Sequence, residues 1–180
     1  MAQSWCIVIH GKPCSCRRFI SSVNLTKEAP VEKCCIRDPT RDVVTGHYGT
    51  RLRSIAILDA QTILLQKFTI QGSKPPDAWI YAGRGEINQE NGKKGFILGR
   101  DTPAHHCSIR EDWTNEDIVV RLGEYQTVYD IEWVSVFCYN YSVDFAHLPV
   151  KLDPNVDFVP AYLPEFRDRS PYAERKIPCD

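Results

Sequence analysis

The apolar residues of this chain fall into short runs separated by turn formers. From residue 43 onward the runs are RLRSIAIL, TILLQKFTI, AWIYAG, FILG, DIVVRL and the long DIEWVSVFCYNYSVDF. Between them stand DAQ, QGSKPPD and GRGEINQENGKKG, rich in Gly, Pro, Asn and Asp. β-branched and aromatic runs of this length at close spacing predict antiparallel strands in a sandwich or barrel. DIVVRL alternates cleanly, with Ile118, Val120 and Leu122 on one face and Val119 and Arg121 on the other. No segment sustains a helical period. The expected fold class is all-β, an antiparallel β-sandwich or barrel with irregular N- and C-terminal extensions.

The run at 130–145 reads as one long strand. Counting by twos, one face carries Ile131, Trp133, Ser135, Phe137, Tyr139, Tyr141, Val143 and Phe145, the pattern of a core face. The other carries Glu132, Val134, Val136, Cys138, Asn140, Ser142 and Asp144 and is apolar only at its centre. A strand apolar on both faces at mid-length is central in its sheet or is covered by a loop or ligand.

The flanks have a different texture. Residues 1–42 hold Cys6, Cys14, Cys16, Cys34 and Cys35 with little periodicity, and read as a Cys-rich arm. A metal knuckle on His10, Cys14 and Cys16 is the sharper alternative. The C-S-C spacing is tighter than the usual zinc C-x2-C, so the arm is preferred and no metal site is assigned. Residues 151–180 are punctuated by prolines, which remove donors and block helix and central strand alike. Their aromatic residues point to an extended strap docked on the domain and pinned by Cys179. The division expected is therefore arm 1–42, β domain 43–150 and strap 151–180.

Composition adds three constraints. Lys plus Arg number 22 and Asp plus Glu 23, so the net charge of -1 offers no footprint for nucleic acid. Eight cysteines suit an oxidising compartment, and Cys6, Cys14, Cys16, Cys34, Cys35, Cys107 and Cys179 are candidates for disulfides. Nothing is long and apolar enough to span a membrane as a helix. The apolar run Trp5 to Ile9 is too short for a secretory leader, and its basic residues follow it. An extracellular destination therefore implies a processed or incomplete N-terminus.

Candidate chemistry is sparse. There is no nucleophile elbow and no H-E-x-x-H, so no hydrolase is indicated. GRGEINQENGKKG follows a strand but opens no helix, which removes the phosphate-loop reading and leaves a mobile hairpin connection. His105, His106 and Cys107 stand together in a loop, but consecutive residues in an extended stretch rarely converge on one ion. A bridged Cys107 is preferred there. Trp79, Trp113 and Trp133 read as core, with stacking on sugar rings the alternative. Asn24 and Asn140 begin glycosylation sequons, and Asn140 must be exposed to be used. On composition alone Cys138 is structural: no Lys, Arg or His adjoins it in sequence to depress its pKa. His147 follows closely enough to share a site with it.

The ordered set Gly46, ILDAQTILLQKF, the Gly72 turn into PPDAWIYAG, NEDIVVRL and DIEWVSVFCYNYSVDFAH resembles the DM-thirteen domain. This animal module occurs beside DOMON domains in Skeletor- and Knickkopf-like proteins. The resemblance covers about residues 43 to 150, with Phe145-Ala146 standing where the family often reads Phe-Gly. It implies an all-β fold and a part in an extracellular electron-transfer system acting on cell-surface or matrix glycoproteins, with a DOMON-type redox partner. It also implies that Cys138 is the redox group, as a naked thiol or as the attachment point of haem or another prosthetic group. The rival reading is a non-catalytic, disulfide-stapled matrix module that binds glycans, polysaccharide or protein, in which Cys138 is packed.

Overall fold

In the structure, a computed structural model, the residues described are 44–102, 104–162 and 179. Cys6, His10, Cys14, Cys16, Asn24, Cys34 and Cys35 lie outside them.

The described residues form ten strands: β1 (Val44–Thr45), β2 (Arg51–Leu52), β3 (Ser54–Asp59), β4 (Thr62–Gln71), β5 (Ala78–Gly83), β6 (Gly92–Lys94, within the stretch expected to be a connection), β7 (Phe96–Ile97), β8 (Asp112–Arg121), β9 (Trp133–Cys138) and β10 (Val143–Pro149). They form two antiparallel sheets. One runs β1-β2-β4-β8-β7 with β3 also on β4, and the other runs β10-β9-β5-β6. The architecture is an all-β sandwich, and its sheets do not close into a barrel. Residues 92–97 change sheets, since β6 pairs with β5 whereas β7 pairs with β8.

Alternation places the core. Ile63 and Leu65 are buried, and then the phase slips so that Phe68 and Ile70 are buried instead. The slip is a bulge: Lys67 takes a left-handed φ of 56°, and the register with β8 shifts between Leu65 and Phe68. One extra residue keeps a long strand facing the same core through its bend. Burying a side chain such as Phe68 fully is worth about 1.5–3 kcal/mol. From β8, Ile118 and Val120 enter the same core, as their alternation predicts, with Leu122 just beyond the strand end. The other sheet contributes Ala78, Ile80 and Ala82 from β5 and Val134, Val136 and Cys138 from β9.

Turn chemistry explains the first hairpin. Asp59 accepts from the Gln61 amide at 2.7 Å and from Thr62 Oγ1 at 2.8 Å, which fixes the two-residue reversal between β3 and β4. Gly46 is needed for a close approach, because a Cβ there would lie 1.6 Å from the Phe145 carbonyl oxygen.

The expected single strand at 130–145 is in fact a hairpin. β9 ends at Cys138, the chain reverses through Tyr139–Ser142, and Ser142 adopts a φ of 52°. Counting by twos across the turn therefore fails. Tyr141 is exposed, as is Val143, whereas Phe145 enters the core. The face assignment of β9 also inverts: Val134, Val136 and Cys138 face the opposing sheet, and Trp133 and Phe137 face outward into a separate cluster. Ala146 causes no strain where the family has Gly, because it is absent from the positive-φ residues and the ladder shifts register between Asp144 and Ala146 instead.

Beyond Val150 the described part of the strap docks on the sandwich. Ala60 donates to the Pro160 carbonyl at 2.9 Å, Tyr129 Oη donates to the Asp157 carbonyl at 2.7 Å, and Leu152 and Val159 pack on the core.

Candidate functional site

Cys138 is the last residue of β9, paired with Val143 of β10 on one side and Ala78 of β5 on the other. It is the free cysteine among the described residues and is 2% exposed. Its side chain belongs to the main apolar core. The end of the strand is clamped by Asp77, whose carbonyl accepts from the Tyr139 amide at 3.1 Å. The Asp77 carboxylate accepts from the Asn140 amide at 3.1 Å and from Trp79 Nε1 at 2.6 Å. Asn140 itself is exposed in the turn.

His147 does not join Cys138. It pairs with Ser135, three positions back along an unbroken strand, so its side chain lies on the other face of the sheet. There it is exposed, with Nδ1 2.5 Å from Asp144 Oδ2, and Ser135 Oγ donates to Asp144 Oδ1 at 2.6 Å. A haem or similar group on Cys138 does not fit these residues. The sulfur is enclosed by apolar neighbours, Ala78 opposite it is fully buried, and His147 cannot reach the same face. A macrocycle there would require the sandwich to come apart.

The outward face of the same sheet is aromatic. Tyr81 stacks on Phe137 with centroids 4.9 Å apart, and Trp133 and Tyr139 lie within 5.9 and 6.0 Å of Tyr81. The GRGEINQENGKKG segment is the cover of this face, held by specific bonds. Trp133 Nε1 donates to the Gly85 carbonyl at 2.8 Å, Tyr81 Oη lies 2.8 Å from the carbonyls of Gln89 and Gly92, and Gln89 Nε2 donates to the Tyr139 carbonyl. Gly92 permits the close approach, since a Cβ would meet Tyr81 Cε1 at 2.5 Å. The expectation of a mobile loop is corrected by this bonding. Trp79 and Trp133 are 9% and 5% exposed and packed, which removes them as open sugar-stacking platforms.

At the margin of this face Lys94 Nζ lies 3.8 Å from the Trp79 ring centroid and 4.2 Å from that of Tyr139. Burial lowers its pKa, with Asp77 opposing that shift. The cation–π contacts hold the ammonium in a slot it only partly shares with water. Nothing in the sequence pattern singled out Lys94, because its partners Asp77, Trp79 and Tyr139 come from two separate stretches of the chain.

Near the edge, Arg100 is a buried hub. It bonds Asp101 at 2.7 Å and Glu111, and donates to the carbonyls of Cys107 at 3.1 Å and Ser108 at 2.7 Å. Burial alone would raise the Glu111 pKa, but the hydrogen bond and charge of Arg100 outweigh it and hold the carboxyl below its usual range. Cys107 is bridged to Cys179, with Cα atoms 5.4 Å apart. His106 turns the other way, stacked on Phe96 at 3.9 Å with Nε2 3.0 Å from the Gly95 carbonyl, and burial lowers its pKa.

A family model described as Electron transfer DM13 matches residues 44–150, from the first residue of β1 to the residue after β10. The chain belongs to the DM13 family. Two curated relatives, the Skeletor proteins of Drosophila melanogaster in isoforms B/C and D/E, are each 29% identical over 128 residues. The match covers 65% of this chain but only 16% and 8% of those proteins, so it reaches a small part of their length. No solved structure matches. Within the DM13 region, strands β1 to β10 and Cys138 are all described, whereas the Cys107–Cys179 bridge ties the region to a residue beyond it.

Proposed function

We propose that this DM13 domain is an accessory redox module of the cell surface or extracellular matrix, with Cys138 as its redox thiol. The observation that carries the reading is position: Cys138 is free, and it sits where β9 ends and the turn begins. The turn that follows it has one backbone bond of its own, 3.3 Å from the Ser142 amide to the Tyr139 carbonyl, beside the bonds to Asp77 and Gln89 that hold its first two residues. Local opening of a hairpin tip costs far less than global unfolding. Opening there would admit water and a reactant to the sulfur, and the thiolate is the reactive form of a cysteine. A DOMON-type partner and matrix glycoproteins as targets belong to the same proposal. The bridged Cys107 and Cys179 support an oxidising location.

The 2% exposure of Cys138 favours a second reading, a non-catalytic structural or glycan- or protein-binding matrix module in which the thiol is packing. A mediated redox titration of the full chain beside Cys138→Ser separates the two. A couple present in the parent and lost in the variant supports the redox module. Superimposable titrations leave the structural module.

A further inference from the structure

We propose that His105, Cys107 and Cys179 form a binding site for a thiophilic metal ion, zinc being the reference case, that the Cys107–Cys179 disulfide keeps locked. The site is separate from Cys138 and does not depend on its role.

The geometry comes first. One ligand atom from each of the three residues lies within 4.8 Å of the others. Two thiolates and one imidazole around tetrahedral zinc stand about 3.6 Å apart, given Zn–S and Zn–N bonds of about 2.3 and 2.1 Å. In the dithiol state the two sulfurs, bonded to each other in the disulfide, need to separate by roughly 1.5 Å, and the imidazole nitrogen needs to close by no more than about 1 Å. His105 and Cys107 share one side with Cys179, and His106 between them is turned onto Phe96.

The loop is held in place without the disulfide. Thr102 and His105 exchange backbone bonds of 3.0 and 2.9 Å, the Ile97 amide donates to Asp101 Oδ2 at 2.8 Å, and Arg100 grips the carbonyls of Cys107 and Ser108. A ligand pair held by its surroundings loses little freedom on binding. The charge also suits the ion. Arg100 is compensated by Asp101 and Glu111, and two thiolates with a neutral imidazole cancel a dication. His105 and Cys179 are exposed, so an ion can enter and water can fill a fourth position.

Unlocking is thiol–disulfide exchange. A thiolate of an external dithiol attacks the sulfur of Cys179, the exposed residue of the pair, the S–S bond breaks, and Cys107 leaves as thiolate. The second thiol of the reductant resolves the mixed disulfide. The reductant is oxidised to its disulfide, and this chain gains two thiols. The ion then displaces their two protons to solvent.

The test uses the full chain with cobalt(II) as the probe, since thiolate ligation gives it an intense near-ultraviolet band and tetrahedral geometry a visible one. Parent, Cys179→Ser and His105→Ala are titrated after reduction by a non-chelating phosphine, and the parent also oxidised. The reduced parent is expected to take up one equivalent more than reduced Cys179→Ser, and the oxidised parent to lack that equivalent. His105→Ala, an exposed change that leaves the disulfide able to form, is expected to weaken it at least 10-fold and shift the visible band. Equal uptake by the reduced parent and Cys179→Ser overturns the site, as does an unaltered spectrum and affinity in His105→Ala. Equal binding by oxidised and reduced parent overturns the lock.

Discussion

The two faces of β9 are both buried, but by different means. The inward face, Val134, Val136 and Cys138, is closed by the opposing sheet and is apolar throughout. The outward face, Trp133, Ser135 and Phe137, is closed by its own neighbouring loop, and its polar atoms have partners: Trp133 Nε1 on Gly85, Tyr81 Oη on Gln89 and Gly92, Ser135 Oγ on Asp144. Burial by a sheet demands shape alone, whereas burial by a loop also demands hydrogen bonds, because the loop brings its carbonyls with it. Cys138 lies on the face that tolerates no unpaired polar group, so the redox role proposed for it requires that face to open.

Four outcomes sharpen that contrast. Phe137→Ala should cost the most, about 3–5 kcal/mol in denaturant unfolding, because it empties the centre of the aromatic stack. A loss under about 1 kcal/mol would mean that the covering loop collapses freely onto the gap. On the inward face, Cys138→Ser should lose about 1–3 kcal/mol by burying a hydroxyl among apolar groups, and Cys138→Ala should be milder. Equal costs would show that water already reaches that position. Tyr81→Phe should cost about 1–2 kcal/mol by removing the one hydroxyl proton that the Gln89 and Gly92 carbonyls share, and should speed amide exchange in 84–92 without altering the inner core.

The smallest effect belongs to neither face and serves as a reference. Glu111 has its pKa depressed by Arg100. The stability it supplies is therefore present above the ordinary glutamate pKa and lost as pH falls through the depressed one. Glu111→Gln should be less stable than the parent near neutrality, and the difference should vanish in acid. A difference that persists at low pH would trace the effect to packing.

How much of this was legible in the sequence differs from element to element. Strand runs are visible because β-branched and aromatic residues crowd them, and the alternation in DIVVRL identified a buried face correctly. The β9–β10 reversal was hidden because its turn residues include Tyr139 and Tyr141, which continue the aromatic texture of a strand. The inward face of β9 was mistaken for the lesser one because aromatic rings look more core-like than valines. Only the tertiary position of 84–91 shows that those rings face outward. Asp77, Lys94 and Arg100 carry no periodic signal: Asp77 and Lys94 are defined by partners far along the chain, and Arg100 by the way an irregular loop folds back on it. The resemblance that marked Cys138 gave its address, but not its enclosure, nor the separation of His147 onto the other face.

The most direct test of the account is the alkylation rate of Cys138 in the native full chain, followed by peptide mass mapping, against the rate in denaturant. The enclosed, gated thiol predicts modification of Cys138 roughly 100-fold or more slower in the native state, with a rate set by local opening. Labelling at the unfolded rate, or recovery of Cys138 in a disulfide, would contradict it.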